Sequence, residues 1–249
     1  MGFADSLGVQ SYCFRGFKEN EKVAELVRQC GLSRIELCGV HADFANEKTF
    51  DEVIGIYRRA GVQIVSIGVQ GFRNNEAAEE KFFVFAKRAG AKVISADFGL
   101  ELVPACYRTA EKLADKYDIN LAIHNHGGRH WLGCAHILRN VFAATSPRIG
   151  LCLDTAWAMD SGEDPLAMVK EFGKRLYGIH IKDFVFDRAR KPQDVVAGDG
   201  NLDLKKLIAA LREVGFQGAG VFEYEGDVDN PVPALQRSVA AVKKAEASI

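Results

Sequence analysis

Three short segments punctuate this chain at almost equal intervals: Arg28-Gln29-Cys30-Gly31-Leu32, Arg58-Arg59-Ala60-Gly61-Val62 and Lys87-Arg88-Ala89-Gly90-Ala91. Each closes a helical pattern and opens an apolar run. Their spacing of roughly 30 residues is that of one strand-plus-helix unit. Glycine suits the position just beyond a helix, where φ is positive, and the basic residues before it complement the helix dipole. Ahead of Gly31, residues Val23, Leu26, Val27 and Cys30 follow a helical stripe, with Asn20 as the expected N-cap. Ala78, Phe82, Phe85 and Ala89 repeat the stripe before Gly90, as do Leu204, Leu207, Ile208 and Leu211 before Gly215. Between the helices lie β-branched runs such as Gln63-Ile64-Val65-Ser66-Ile67.

These runs predict strands near residues 7–13, 34–38, 62–69, 92–97, 119–125, 149–154, 176–182 and 219–225, with helices in the gaps. Strand–helix alternation along the whole chain calls for a parallel sheet. About eight units call for closure into a (β/α)8 TIM barrel, an α/β fold forming a single domain over residues 1–249. A doubly wound open sheet is the alternative. Against it, no GxGxxG follows the first strand and no mid-chain break marks a second domain. The longest irregular stretch, Phe184 to Asn201, follows the seventh strand, where loops frame barrel active sites.

Composition removes several function classes. The formal net charge of −1 argues against nucleic acid as a partner. The 6 cysteines include no CxxC pair and read as buried thiols in a reducing compartment. The N-terminus has no basic segment leading into an apolar one, and no apolar run reaches the ~18 residues that span a bilayer. A cytoplasmic protein with no membrane partner is expected, with self-association into a homo-oligomer left open.

Four of the strand-like runs end in ionisable residues: Leu121-Ala122-Ile123-His124-Asn125-His126, Leu151-Cys152-Leu153-Asp154, Gly178-Ile179-His180-Ile181-Lys182-Asp183 and Val221-Phe222-Glu223-Tyr224-Glu225. Side chains alternate along a strand, so His124/His126, His180/Lys182 and Glu223/Glu225 would each share a face. Each residue also has an ordinary explanation. Asp154 suits an N-cap, His180 a histidine satisfied by a carbonyl, Lys182 a snorkelling lysine and the His124–His126 pair a loop start. Two carboxylates on one face of a buried strand are harder to explain without a cation. Four strands ending this way at one level imply a divalent-metal site, suited by its imidazole and carboxylate mixture to Mn²⁺, Co²⁺, Zn²⁺ or Mg²⁺. Glu36 adds an acid at the second strand, as a support or a substrate contact, with a salt bridge across the barrel mouth as the plain reading. Trp157, Trp131 and Phe72 are candidate walls for a sugar, or simply core.

Ile123-His124-Asn125-His126-Gly127-Gly128, Arg148-Ile149-Gly150-Leu151-Cys152-Leu153-Asp154-Thr155, Gly178-Ile179-His180-Ile181-Lys182-Asp183 and Gly198-Asp199-Gly200-Asn201-Leu202-Asp203 together resemble the sugar phosphate isomerase/epimerase family. These are xylose isomerase-like barrels, related to inosose dehydratases, ketose 3-epimerases and endonuclease IV. Leu7-Gly8-Val9-Gln10-Ser11-Tyr12 and Val221-Phe222-Glu223-Tyr224-Glu225 fit as well, so the resemblance spans nearly the whole chain. It implies a divalent cation, manganese first, held by His124, Asp154, His180 and Glu223. Whether His124 or His126 supplies the fifth-strand ligand stays open. Two departures matter: many members have Glu where His124 stands, and many epimerases have His where Trp157 stands.

The chemistry common to that family is proton abstraction next to a carbonyl, with the cation stabilising the enediolate. The resemblance thus implies a sugar or keto-sugar substrate. Glu223 or His126 is the expected base, Lys182 helps to neutralise the oxyanion, and Glu36, Trp157, Asp183 and Glu225 are expected to contact substrate. Isomerisation or epimerisation leads, with keto-sugar dehydration or 3-keto-glycoside lysis as the alternative. The rivals on the same fold are a DNA-repair nuclease, disfavoured by charge and ligand number, and a non-catalytic sugar-binding barrel. A phosphate contact from Lys182, Arg190 and Lys191 competes with plain solvation of a charged loop.

Overall fold

The computed structural model describes residues 2–128 and 130–249. Eight parallel strands close into a barrel: β1 (Gly8–Gln10), β2 (Arg34–Leu37), β3 (Gln63–Phe72), β4 (Val93–Phe98), β5 (Asn120–His124), β6 (Ile149–Asp154), β7 (Leu176–Ile181) and β10 (Ala219–Phe222). They pair in chain order around the barrel, and β10 closes it against β1 through Gly8 opposite Val221 and Val9 opposite Phe222. Helices α1 (Asn20–Gln29), α2 (Phe50–Arg59), α3 (Glu76–Ala89), α4 (Ala105–Tyr117), α5 (Ala135–Ala144), α7 (Pro165–Phe172), α8 (Leu204–Glu213) and α9 (Val232–Ala247) fill the connections, and the short α6 (Thr155–Asp160) leads directly out of β6. Among the described residues, no helix is long and apolar enough to cross a membrane.

The repeat glycines do what their spacing implied: Gly31, Gly61 and Gly90 have φ of 74°, 69° and 80°, a left-handed conformation that only glycine adopts cheaply. The stripes of α1 and α8 face the core. The stripe of α3 is turned by one residue. Ala78 lies in solvent, whereas Glu79, Phe83 and Ala86 face inward with Phe85. An acid occupies this inward face because Glu79 caps the preceding loop, accepting the backbone N–H of Arg73 at 2.6 Å and of Asn75 at 2.9 Å. Asn20 is not the cap of α1. Glu19 holds that position, while the Asn20 amide donates to the His41 carbonyl and its oxygen accepts the Tyr57 hydroxyl.

Strand ends also depart from the sequence reading. β1 stops at Gln10 and turns into a 3₁₀ segment, Ser11–Phe14, while β3 runs on to Phe72. The stretch Phe184–Asn201 is not irregular throughout: β8 (Asp183–Phe186) and β9 (Pro192–Val195) form an antiparallel hairpin beside the barrel mouth.

Candidate metal centre

At the C-terminal rim, β5, β6 and β7 end in His124, Asp154 and a segment containing His180, and β10 delivers Glu223 one residue past its end. One ligand atom from each of these four residues lies within 4.8 Å of the others. His124 Nε2 is 3.1 Å from His180 Nδ1, 3.6 Å from Asp154 Oδ2 and 3.8 Å from Glu223 Oε2. His180 Nδ1 is 3.1 Å from the same Glu223 oxygen.

The two oxygens of Asp154 have different surroundings. Oδ1 accepts the Trp157 N–H at 2.8 Å and caps α6. Oδ2 is buried without a hydrogen-bond donor and faces the histidines. A buried carboxylate oxygen left bare is costly, and a cation among these four groups removes the cost. The electrostatics point the same way. Burial alone would favour neutral imidazoles, yet Asp154 and Glu223 raise His124, and Cys152, Glu36 and Glu223 hold His180 well above its ordinary range. Burial opposes ionisation of Glu223 too, but Lys182 and His180 hold it well below the carboxylate range. The space between the acids favours positive charge, which a divalent cation could supply in place of protons.

The groups behind the cluster are rigidly held. His180 Nε2 lies 3.0 Å from Glu36 Oε1, which also accepts from the Gln10 amide at 2.6 Å. The other Glu36 oxygen accepts the Ser66 and Ser95 hydroxyls. Despite full burial, His180 and these hydroxyls keep Glu36 below the ordinary carboxylate range. A proton on Nε2 shared with Glu36 leaves Nδ1 free as a ligand lone pair. Asn125 clamps β5 to β6, donating to the Asp154 carbonyl at 3.0 Å and accepting the Asp154 N–H at 2.8 Å. The Thr155 hydroxyl bridges to β7, donating to the Lys182 carbonyl and accepting its N–H.

A cavity of about 350 Å³ opens onto the cluster, lined among others by Gln10, Tyr12, His126, Trp157, Glu223 and Glu225. His126 stands beyond the end of β5, its ring centroid 4.6 Å from that of His124, and burial beside His124 pushes it down to about 3. Lys182 is only 1% exposed and does not line the cavity. Its ammonium lies over the Trp157 and Phe184 rings, pairs with Glu225 and approaches Glu223 to 3.8 Å and Asp194 to 3.9 Å.

Other expected contributors lie elsewhere. The buried Asp183 carboxylate accepts the backbone N–H groups of Gly198, Gly200 and Leu202, so it holds a loop where a substrate contact was expected. Phe72 is wholly buried against Phe98, and the Trp131 indole donates to the Phe98 carbonyl; neither lines the cavity. Arg190 stacks on Phe186 in the hairpin, away from the cavity lining. Sequence reading missed Gln10, Tyr12 and Asn125 as site residues. Gln10 ends the shortest strand and Tyr12 follows it, and neither carries an alternating signal. Asn125 stood between two histidines, in the motif that could have exposed it.

The larger cavity, about 600 Å³, lies at the opposite end of the barrel between Phe3, Arg34, Phe216 and Glu246, far from this chemistry.

Comparison with known proteins agrees with this architecture. The chain is 24% identical over 211 residues to inosose dehydratase of Geobacillus thermodenitrificans, covering 76% of this chain and 69% of that protein. It is 30% identical over 138 residues to the rhizopine catabolism protein MocC of Rhizobium meliloti, covering 50% of this chain and 42% of MocC, less than half of that relative's length. The crystal structure of a xylose isomerase-like TIM barrel protein from Mycobacterium smegmatis in complex with magnesium superposes with a TM-score of 0.79 at 14% identity, covering 100% of this chain and 99% of that one. The family model of the xylose isomerase-like TIM barrel matches residues 24–245. With that match over a closed barrel whose polar strand ends converge, the chain belongs to the xylose isomerase-like TIM-barrel family.

Proposed function

We propose that this protein is a divalent-metal-dependent enzyme that removes the proton next to the carbonyl of a keto-sugar or keto-polyol. The observation that carries the reading is the bare, buried Oδ2 of Asp154 among His124, His180 and Glu223, of which His124 and Glu223 line an open cavity. These four residues would hold the cation, with manganese the first choice for their donor set. When bound, it acts as a Lewis acid toward the carbonyl and stabilises the charge that develops there.

The chain's own groups do the rest. Glu223 and His126 both line the cavity as candidate proton acceptors: Glu223 Oε2 is engaged with both histidines, whereas burial keeps the His126 imidazole neutral and weakly basic. Lys182 lies behind Glu223 and Glu225, where it holds their charge and orientation instead of meeting the oxyanion directly. Trp157 and Tyr12 wall the cavity for the apolar face of a sugar ring. Return of the proton gives an isomer or epimer, whereas loss of a β-hydroxyl gives a dehydratase. The likeness to inosose dehydratase supports the elimination branch.

The test is incubation of Mn²⁺-loaded protein with keto-inositols, keto-glycosides and ketoses in deuterated water. Deuterium at the α-carbon is expected, and the product separates elimination from isomerisation. Retention of metal and exchange by a His180→Ala variant, or no exchange and no metal in the wild type, would overturn the proposal.

A further inference from the structure

The same cavity carries a statement about substrate charge, which rests on the proposed proton abstraction. We propose that the site takes an uncharged keto-sugar or keto-polyol with free hydroxyls and discriminates against phosphate esters. Among the described residues lining the cavity, none is Lys or Arg, while Glu223 and Glu225 both contribute carboxylates.

The nearby cations are already engaged. Lys182 is buried against Glu225, Glu223 and Asp194. The Arg15 guanidinium donates to the carbonyls of Tyr12 and Glu225 and lies 4.7 Å from the Tyr12 ring centre.

Backbone donors are engaged too. In barrels of this class, phosphate is commonly bound by N–H groups of the loops after the last strands. Here the glycine-rich loop after β7 turns those donors inward. The N–H groups of Gly198, Gly200 and Leu202 donate to Asp183 at 2.9, 3.0 and 2.9 Å, so an internal carboxylate occupies the nest a phosphate would need. The start of α6 is likewise taken, by the Asp154 side chain. A phosphate dianion entering the cavity would find no Lys or Arg to receive it among the described lining residues, since Lys182 is already paired with Glu223 and Glu225, and the Asp183 carboxylate already fills the N–H nest of the loop. Hydroxyls suit the same lining: the His126 imidazole and the carboxylates can exchange hydrogen bonds with them, and the Tyr12 and Trp157 rings take up the C–H face.

The experiment compares matched pairs on wild-type protein, with and without Mn²⁺: fructose against fructose 6-phosphate, a keto-inositol against its monophosphate and 3-keto-glucose against its 6-phosphate. Calorimetry reads affinity and α-proton exchange reads turnover. The neutral member of the best-bound pair is expected to bind about tenfold or more tightly. Equal or tighter binding of the ester, or no binding of any neutral member, would overturn the inference. Preferential binding of a neutral member without exchange would sustain it while removing the proton-abstraction reading.

Discussion

Asp154 shows how one side chain supports both a plain and a functional reading. As the last residue of a buried strand, it is placed where a helix needs a cap and where a ligand would be needed. The two oxygens divide the work, Oδ1 on the Trp157 N–H and Oδ2 on the histidines. An Asp154→Asn variant keeps a capping oxygen and loses the charge. We expect metal affinity to fall by about 100-fold or more with metal-free stability nearly unchanged, whereas Asp154→Ala should also lose about 1 kcal/mol from the lost cap. Metal titration and urea unfolding separate the two; equal destabilisation by both would show that the cap contributes nothing. Glu36 lies one step further out, in contact with His180. Glu36→Gln should weaken metal binding by about 10- to 100-fold while the barrel stays folded, read by titration and circular dichroism. Unchanged affinity would remove Glu36 from the centre's support. In the sequence, Asp154, His180 and Glu223 stood out because a polar group closing an apolar run is rarely accidental. Tyr12 carried no such mark, since nothing local tells that an exposed ring after β1 faces the same cavity.

At the level of elements, the strand–helix repeat was readable and the exact strand ends were not. The barrel strand ending at Phe222 leaves Glu223 outside regular pairing, yet Glu223 and Glu225 still line the same cavity. The Glu223 N–H still donates to the Ile181 carbonyl at 3.2 Å, so the bonding to β7 carries one residue beyond the strand. The Phe184–Asn201 stretch was opaque for a different reason: its hairpin is held by a tertiary acid, Asp183, whose partners lie well downstream. Asp183→Ala would leave three buried or half-buried amides without acceptors. We expect a loss of about 3 kcal/mol or more and much faster hydrogen exchange at Gly198, Gly200 and Leu202. Native-like protection at those amides would contradict the loop-holding role. The turned face of α3 has a similar origin: Glu79 is drawn inward by loop N–H groups that a hydrophobic stripe does not encode.

For the whole molecule, closure is what turns separate strand ends into a centre. Gln10, Glu36 and His180 belong to three strands and meet in one hydrogen-bonded row only because β10 seals the barrel against β1. If the centre binds metal in the native state alone, free cation at about 100 times its dissociation constant should stabilise the fold by about 2.7 kcal/mol, a rise in melting temperature of about 5–10 °C for a chain of this size. Scans with Mn²⁺ against EDTA test this, and the Asp154→Asn variant should show no such rise. A shift of the same size in that variant would place the ion elsewhere.

By itself, the sequence determined the α/β repeat, the barrel and the set of acids and imidazoles at the strand ends, because these depend on local periodicity and on the cost of burying charge. Only the tertiary structure decided which atoms face one another: that Asp183 turns away to a loop, that Lys182 lies behind the acids, and that Tyr12 and Gln10 join the cavity wall. Those choices depend on where distant backbone N–H groups and carboxylates come to rest once the ring of strands has closed, which no spacing along the chain specifies.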